Sequence, residues 1–277
     1  MKNIVVSGSK LGLIALATAL VAVACGGGGS GDTAGGGGAG DSSTSTDASS
    51  TNSASSSSSS SGNGSSSSSN SASSSSGSGG MAAPGLIDDM EDKNDSILTA
   101  EGRQGYWYSY SDATVGGTIT PVPNKGFPMT AITPSRDAST YAARIAGMGF
   151  TDYGAGMGFD LNATSMGKTG YDASVYSGVT FFARVGKGTA TALRVNISDK
   201  DTAPEGGVCK KCNDHFGANI TLTEEWKQYT LKFGELKQAG YGDPAPKLLT
   251  NALYGMSFAV GPKLIFDVWV DDIMFVK

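Results

Sequence analysis

The sequence predicts an all-β fold, a jelly-roll β-sandwich that follows a disordered linker. Three observations support this prediction. All aromatic residues lie after residue 80, so only residues 81–277 can bury a hydrophobic core. In this part, short runs alternate between apolar and polar residues and are separated by glycine-rich turns, which is typical of strands. No long amphipathic helix and no alternation of strands with helices is visible, which excludes a doubly wound parallel sheet.

Eight strands are predicted from these runs, a number that suits two packed sheets. They cover Tyr106–Ser111, Tyr141–Ala146, Ala155–Asp160, Gly178–Val185, Ala192–Ser198, Trp226–Lys232, Ala252–Val260 and Leu264–Val276. The last of them is long enough to contain a bend or a bulge. A further strand is expected to pass through Ile220, and only Phe233–Ala239 suggests a helical turn.

The first 25 residues have the pattern of an export signal. Lys2 and Lys10 form a short positively charged region, and an apolar stretch follows over residues 11–24. This stretch ends in Ala22-Val23-Ala24, directly before Cys25. A cysteine at this place resembles a bacterial lipobox, in which the peptidase cuts before the cysteine and the cysteine is acylated. The alternative is an ordinary secretory signal. We expect an exported protein of the cell envelope, at the outer membrane or cell surface, with Cys25 as its lipid anchor.

Residues 26–80 form a segment of low complexity between the signal and the predicted domain. Serine accounts for 25 of its 55 residues and glycine for 15, and alanine is its only apolar residue type. Such a composition cannot offset the entropy lost on ordering, so the segment is expected to be a disordered tether. A flexible chain of this length spans about 40 Å on average, which lets the domain work away from its membrane anchor.

The charge of the chain excludes one class of partner. With 20 basic and 25 acidic side chains the net charge is −5, whereas nucleic-acid binding needs a basic surface. After residue 25 no apolar run is long enough to cross a bilayer, so the lipid anchor is the only membrane contact we expect. We also expect a monomer with no nucleic-acid partner.

Four short motifs resemble a known family. They are Leu86-Ile87-Asp88-Asp89-Met90-Glu91-Asp92, Gly105-Tyr106-Trp107-Tyr108, Gly154-Ala155-Gly156-Met157-Gly158-Phe159-Asp160 and Phe266-Asp267-Val268-Trp269-Val270-Asp271-Asp272-Ile273. In this order and spacing they resemble galactose-binding-like β-sandwich domains, in particular carbohydrate-binding modules of the family-eleven type. The resemblance spans nearly all of residues 86–277. It implies a jelly roll without catalytic activity, a groove for a polysaccharide or oligosaccharide, and a structural calcium ion that joins the first strand to the last.

The calcium ion implied by the resemblance has candidate ligands in the sequence. By their position in the motifs, Glu91 and Asp271 would bind it, with Asp89 as a third ligand. Carboxylate oxygens are ligands that this hard cation prefers, and the first and last strands both carry several. The alternative is that these are carboxylates at strand ends with no metal, because aspartate is also common in turns.

Residues that suit sugar recognition occur on two predicted strands and in one loop. Sugars offer apolar ring faces and hydroxyl groups, so a site needs aromatic side chains together with hydrogen-bonding groups. Alternation puts Trp107 in the core and the polar residues of 193–198 on one outer face. The candidates are Tyr108 and Tyr110 as platforms, and Arg194, Asn196, Asp199, Asp214 and His215 as hydrogen-bonding partners. Each type also has a structural alternative: a core tyrosine, a solvated or ion-paired arginine, or an Asp–His pair of the framework.

Cys209 and Cys212 lie in the most distinctive loop of the domain. They could form a disulfide or, with His215 and a carboxylate, a zinc site. Covalent haem attachment is excluded because it needs histidine directly after the second cysteine, and the absence of a thioredoxin-like pattern argues against a redox role. Export favours the disulfide. Closing so small a ring contributes about 2 kcal/mol, so it would shape one loop rather than hold the fold.

The expected function is carbohydrate binding without catalysis, by a lipoprotein of the cell envelope. No Gly-x-Ser-x-Gly elbow, Walker sequence or convincing dinucleotide fingerprint occurs in residues 81–277. Acidic residues are plentiful, so a glycoside hydrolase with two carboxylates across a cleft is one alternative. The others are a structural or adhesive surface protein without a sugar site, and an accessory module of a glycoside hydrolase system.

Overall fold

Residues 83–277 are described by the structure, a computed structural model; the predicted signal segment with Cys25 and the linker 26–80 lie outside the described residues. The described part consists mainly of strands, with three short 3₁₀ helices at Pro204–Gly206, Phe233–Glu235 and Thr250–Ala252. The all-β fold predicted from the sequence is therefore confirmed. Among residues 83–277, no helix has the length and apolar character needed to pass through a bilayer.

Fourteen strands follow one another along the described part of the chain. They are β1 (Leu86–Asp88), β2 (Trp107–Ser111), β3 (Thr118–Thr120), β4 (Thr130–Arg136), β5 (Ser139–Met148), β6 (Ala155–Asp160), β7 (Ala163–Thr164), β8 (Gly167–Lys168), β9 (Gly178–Val185), β10 (Ala192–Asp199), β11 (Phe216–Thr221), β12 (Lys227–Lys232), β13 (Leu253–Val260) and β14 (Phe266–Val276).

Two antiparallel sheets form the layers of a sandwich. One has seven strands, in the order β12-β9-β14-β5-β3, with β1 paired to β14 and β4 paired to β5. The other has five strands, in the order β11-β10-β13-β6-β2, and β7 and β8 form a small separate hairpin. Side chains from both large sheets meet in one hydrophobic core, which is the packing expected of a β-sandwich.

All eight strands predicted from the sequence are present, and the strand expected through Ile220 is β11. The long last strand carries the expected irregularity, between Asp271 and Met274. Strands β1, β3, β7 and β8 are not among the strands predicted from alternating runs, because two or three residues are too few to show a period of two. Strand β4 escaped prediction because its sequence has a single large apolar residue, Ile132, and contains Pro134, so it shows no alternating apolar run.

Trp107 lies in the core, as the alternation along β2 predicts. Its ring packs against Phe127, Phe159 and Phe258, with centroid separations of 5.5, 4.9 and 6.4 Å. Its Nε1–H donates to Asp88 Oδ2 over 2.7 Å, so the polar atom of the ring is satisfied inside the protein. Because side chains alternate along a strand, the neighbouring tyrosines of β2 point to the outer face of the five-stranded sheet.

Candidate functional site

A groove lies on the outer face of the five-stranded sheet. Its cavity volume is about 780 Å³, which is within the range of ligand sites in proteins. Strands β2, β6, β10 and β13 supply its floor, and loop residues that include Tyr153, Asn213 and Tyr241 complete the lining. Five of the seven sugar-binding candidates chosen from the sequence are in this lining: Tyr108, Tyr110, Arg194, Asn196 and His215.

The floor of the groove consists of two rows of residues that run across the strands. The strand register gives one row as Tyr108, Gly158, Ser257 and Asn196. The next row is Tyr110, Gly156, Ala259 and Arg194. In both rows, small residues in the middle separate a tyrosine from a polar side chain. The tyrosine rings cover the glycines, so Ser257 and Ala259 form the floor of a groove between the tyrosines and the polar side chains of β10.

Gly156 and Gly158 make room for the two tyrosines. A Cβ atom at residue 156 would overlap the phenol group of Tyr110, and one at residue 158 would lie 2.9 Å from the Tyr108 hydroxyl oxygen. The absence of side chains here lets both rings lie over strand β6. From the sequence these glycines suggest only close packing of the backbone, whereas the structure shows that they seat the aromatic side of the groove.

Tyr108 and Tyr110 are half-buried and do not form free platforms. Their ring centroids lie 6.3 Å apart, and the rings are tilted by 45° to each other. Burial raises the pKa of both phenols, that of Tyr110 to about 12, so both hydroxyl groups stay neutral. These two tyrosines supply floor and wall to the groove rather than exposed stacking surface.

Two other tyrosines, Tyr153 and Tyr241, provide exposed aromatic surface at the groove. They are 59% and 65% exposed. Tyr153 Oη donates to the carbonyl oxygen of Ser111 over 2.8 Å, and Tyr241 Oη donates to that of Asn213. A ring that is held by its hydroxyl group and remains accessible can stack on a sugar with little further loss of side-chain entropy.

Sequence reasoning missed both exposed tyrosines because neither belongs to an alternating run. A signal was nevertheless present in their glycine neighbours, Tyr153-Gly154 and Gly240-Tyr241-Gly242. A large aromatic residue inside a glycine turn lies on the surface, where an apolar ring has no packing role of its own. Aromatic residues of this kind are candidates for ligand contact.

Arg194 and Asn196 project from strand β10 on the side of the groove opposite the tyrosines of β2. Arg194 Nη2 donates to the carbonyl oxygen of Lys237 over 2.7 Å and lies 3.4 Å from that of His215. Leu193, on the other face of the same strand, is buried in the core. The alternation that the sequence predicts for this strand is confirmed.

His215 presents a defined hydrogen-bonding pattern to the groove. Its Nδ1 lies 3.0 Å from Thr202 Oγ1, and that hydroxyl group donates its own proton to Asp199 Oδ1 over 2.8 Å. The hydroxyl oxygen must therefore accept from Nδ1–H, which leaves Nε2 as the acceptor of the ring. Burial lowers the pKa of His215 to about 4, although the charges of Glu205 and Asp214 oppose this, so the ring is neutral at pH 7.

Asp199, a predicted sugar ligand, does not reach the groove. It is fully buried and accepts hydrogen bonds from the backbone N–H groups of Thr202 and Leu249. Along β10 it has the same parity as the core residues Val195 and Ile197, so alternation turns it inward. Its role is to orient His215 through Thr202 rather than to contact a ligand.

Asp214 is the second predicted sugar ligand outside the groove lining. Its carboxylate accepts backbone N–H groups of Ala239, Gly240 and Gly242, at 2.8, 2.8 and 3.1 Å. Burial acts to raise the pKa of this carboxyl group, but the hydrogen bonds outweigh it and lower the pKa. Asp214 thus holds the loop that carries Tyr241, and it shapes the groove without lining it.

Cys209 and Cys212 form the disulfide predicted from the sequence, with a Cα–Cα distance of 5.2 Å. The zinc alternative does not apply to this arrangement because the two sulfur atoms are bonded to each other. Between the cysteines, the backbone N–H groups of Lys210 and Lys211 donate to Asp243 Oδ2. The disulfide shapes a loop at the edge of the site, since Cys212 is part of the groove lining.

Comparison with known proteins adds structural neighbours. No protein family model matches the sequence, and no curated protein sequence matches it. Among solved structures, a family 11 carbohydrate-binding module of a cellulosomal cellulase from Clostridium thermocellum has 17% identity and a TM-score of 0.47, covering 70% of this chain and 96% of that chain.

Two further neighbours are of the same kind. A family 11 module from Clostridium thermocellum, in complex with a β-1,3-1,4-mixed-linked tetrasaccharide, has 18% identity and a TM-score of 0.46, covering 70% of this chain and 97% of that chain. A family 30 carbohydrate-binding module has 16% identity and a TM-score of 0.44, covering 69% of this chain and 99% of that chain. The module type that the sequence motifs resemble is therefore among the structures to which this chain is similar.

The acidic residues of the first and last strands meet around Ser139. Leu86 of β1 lies opposite Met274 of β14, which brings the two acidic segments together. Ser139 Oγ donates to Asp271 Oδ2 over 2.6 Å and lies 3.4 Å from Glu91 Oε1. The pairing of the first strand with the last, which the resemblance implies, is therefore present.

The cation among these carboxylates is the guanidinium of Arg136. Its Nη2 lies 2.8 Å from Asp271 Oδ2 and also contacts the carboxylate of Asp272. The group stacks on Phe182, with 3.9 Å between the guanidinium carbon and the ring centroid. Burial, followed by the charge of Asp272, raises the pKa of Asp271 to about 6. Arg136 offsets part of this cost.

The residues present do not fit a calcium ion. Within residues 83–277, no group of three or more His, Cys, Asp or Glu side chains is arranged to bind a metal. Glu91 accepts the backbone N–H groups of Thr140 and Tyr141, and Asp89 accepts that of Glu91. These carboxylate oxygens already accept hydrogen bonds, and the guanidinium of Arg136 lies beside Asp271. The arrangement therefore gives calcium no role.

Chelation is expected to leave stability unchanged, because Arg136 supplies the positive charge that the carboxylates need. The melting temperature of the purified protein, measured in excess EDTA and then in excess calcium, should agree within about 1 °C. A melting temperature that falls on chelation and recovers with calcium would support the metal implied by the sequence motifs and contradict the assignment to Arg136.

Proposed function

We propose that this protein binds a carbohydrate chain and catalyses no reaction, with the groove as its binding site. The observation that carries this proposal is the lining, in which exposed tyrosines stand beside a floor of hydrogen-bonding side chains. Pyranose rings have apolar faces and edges of hydroxyl groups, so this combination matches them. The motifs that resemble carbohydrate-binding modules of the family-eleven type support the same proposal.

Each part of the lining has a role in this proposal. Tyr153 and Tyr241 stack on sugar rings, because their faces are accessible and their hydroxyl groups are already held. Asn196 and Ser257 exchange hydrogen bonds with hydroxyl groups, and His215 accepts one at Nε2. An open groove with few charged groups predicts weak binding, from millimolar to micromolar, or about −4 to −8 kcal/mol.

The lining also supports a role without catalysis. Hydrolysis of a glycosidic bond normally uses two carboxyl groups on either side of the bond. Among the groove-lining residues in the described part of the chain there is no aspartate or glutamate. The groove therefore offers neither an acid nor a nucleophile of the kind that a glycoside hydrolase needs.

The proposed location is the cell envelope, with the acylated Cys25 as anchor and residues 26–80 as a tether. This part of the proposal is supported by the signal-like pattern of residues 1–25 and by the serine and glycine composition of the linker. A tethered binding domain can reach polysaccharide at a distance from the membrane. Adding a protease to intact cells and measuring how much of the protein is degraded would test whether it is displayed on the cell surface.

A glycan array with the purified protein tests the proposed function, followed by calorimetry on the strongest ligands. Tyr241→Ala is expected to weaken binding at least tenfold, which corresponds to about 1.4 kcal/mol, because a stacking surface is lost. Tyr106→Ala is the matched control, since Tyr106, directly before β2, is 54% exposed but lies outside the groove lining.

Two results would contradict the proposal. If Tyr106→Ala and Tyr241→Ala weaken binding equally, the binding site lies outside the groove. No binding to any glycan on the array would favour the alternative of a structural or adhesive surface protein without a sugar site.

A further inference from the structure

We propose that the carbohydrate bound in the groove carries carboxylate groups, as a chain containing uronic acids does, and that Arg194 pairs with one of them. The inference rests on the proposed function, because it names the class of sugar for the same site. Three observations carry it: the charge of the lining, the way Arg194 is held, and the pairing of the nearby carboxylates with groups other than Arg194.

The lining of the groove carries one formal charge. Among the lining residues within 83–277, Arg194 is the only side chain that is ionised at pH 7. His215 is neutral, and no acidic side chain contributes to the lining in this part of the chain. In a partly enclosed groove, a cation without a counterion attracts an anion more strongly than it would in bulk water.

Arg194 is held by backbone carbonyl groups rather than by an acid. Its Nη2 donates to the carbonyl oxygen of Lys237 and approaches that of His215. In residues 83–277 it forms no salt bridge, whereas three of the other four arginines do: Arg103, Arg136 and Arg144. The Nε–H and Nη1–H groups of this guanidinium donate to no protein acceptor in the described part of the chain, so they can donate charge-assisted hydrogen bonds to a carboxylate.

Each carboxylate whose charge acts on the groove has a partner that offsets part of that charge. Asp160 and Glu205, whose charges reach Tyr108, lie 3.0 and 3.4 Å from Lys168 Nζ. Asp214, whose charge reaches His215, is enclosed by three backbone N–H groups. An acidic sugar would therefore meet the positive charge of Arg194 without an unpaired carboxylate beside it.

Calorimetry with matched ligands tests the inference. The acidic probes are oligosaccharides of polygalacturonate, alginate and glucuronoxylan, and the neutral probes are mixed-linkage β-glucan oligosaccharides. The matched pair is an oligogalacturonide and the same compound with its carboxylates methyl-esterified. We expect at least one acidic probe to bind at least tenfold more tightly than its ester, and dextran sulfate to bind no better than the ester.

Arg194→Gln is expected to remove this preference, so that acid and ester bind within about twofold of each other. Arg194→Lys keeps the charge without the forked geometry, and it should retain part of the preference. Lys227→Gln is the matched control, because it removes the same charge from an exposed position on the opposite sheet. Circular dichroism of each variant establishes that it is folded.

The outcomes separate this inference from the proposed function. Tight binding of the neutral β-glucan with no preference for acids would overturn the inference and leave the proposed function in place. Equal binding of dextran sulfate, or an acid preference that survives Arg194→Gln in a folded protein, would also overturn it. If no probe binds and the glycan array is negative, both proposals fail together.

Discussion

Replacing Arg136 with methionine is expected to lower the free energy of unfolding by about 3–5 kcal/mol, the range seen when one partner of a buried ion pair is removed. The guanidinium group contacts the carboxylates of Asp271 and Asp272, and Asp271 is fully buried. Methionine fills part of the same volume over Phe182 but leaves the buried carboxylate without its cation. The effect can be measured by urea unfolding at pH 7.5.

The loss at Arg136 should depend on pH. Burial holds the pKa of Asp271 at about 6 with Arg136 present, and removal of the cation raises it further. Below pH 5 this carboxyl group is largely neutral, so the missing charge costs less there than at pH 7.5. Arg136→Lys, which keeps the charge, should be less destabilising than Arg136→Met.

Arg144→Met is the matched control for this prediction. Arg144 forms a forked pair with Asp267 on the same sheet, at 2.8 and 2.9 Å, but its side chain is 35% exposed. Solvent screens such a pair, and its loss is expected to cost about 1 kcal/mol or less. Equal effects at the two arginines would show that burial of Asp271 is not the cause, and the assignment of Arg136 as the essential cation would be wrong.

Asp88 is expected to make the protein less stable as the pH rises from about 4 to about 7. Burial raises the pKa of this fully buried carboxyl group from 3.8 to about 7, even though Trp107 Nε1–H and the N–H of Met90 donate to it. The folded state therefore binds a proton that the unfolded state has already released. By linkage, the stability that Asp88 contributes at low pH is lost over this interval, by about 4 kcal/mol.

Asp88→Asn isolates this contribution. Its side chain does not ionise, so the free energy of unfolding should fall less between pH 4.5 and pH 7.5 than in the parent protein, by about 3 kcal/mol. Asp271, like Asp88, lowers the free energy of unfolding as the pH rises. His215, with its pKa lowered to about 4, raises it. Both are unchanged in the variant and cancel in the difference.

The control for the pH measurement is Asp152→Asn, because Asp152 is exposed and is not among the groups that shift the pKa of Asp88. Its pH profile should follow that of the parent protein. Parallel profiles for the parent and Asp88→Asn would show that Asp88 ionises at the same pH in the folded and unfolded states. That result would contradict the effect of burial described above.

Much of the groove could be predicted from local pattern. Alternation along β2 and β10 places Tyr108, Tyr110, Arg194 and Asn196 on the outer faces of their strands, and the structure puts all four in one lining. The same rule turns Asp199 inward, so its choice as a ligand conflicted with the pattern itself. The two exposed tyrosines could not be found in this way, because loop residues have no period.

The sequence by itself determined the all-β fold, the eight strands with a clear sequence pattern, and the faces that β2 and β10 turn to the core. These are local properties, because a period of two is complete within a few residues. Only the tertiary structure decided which aromatic rings stay exposed and which cation meets the carboxylates of the last strand. Arg136 and Asp271 are separated by 135 residues, and such contacts depend on how the strands are ordered in the sheets, which no local pattern contains.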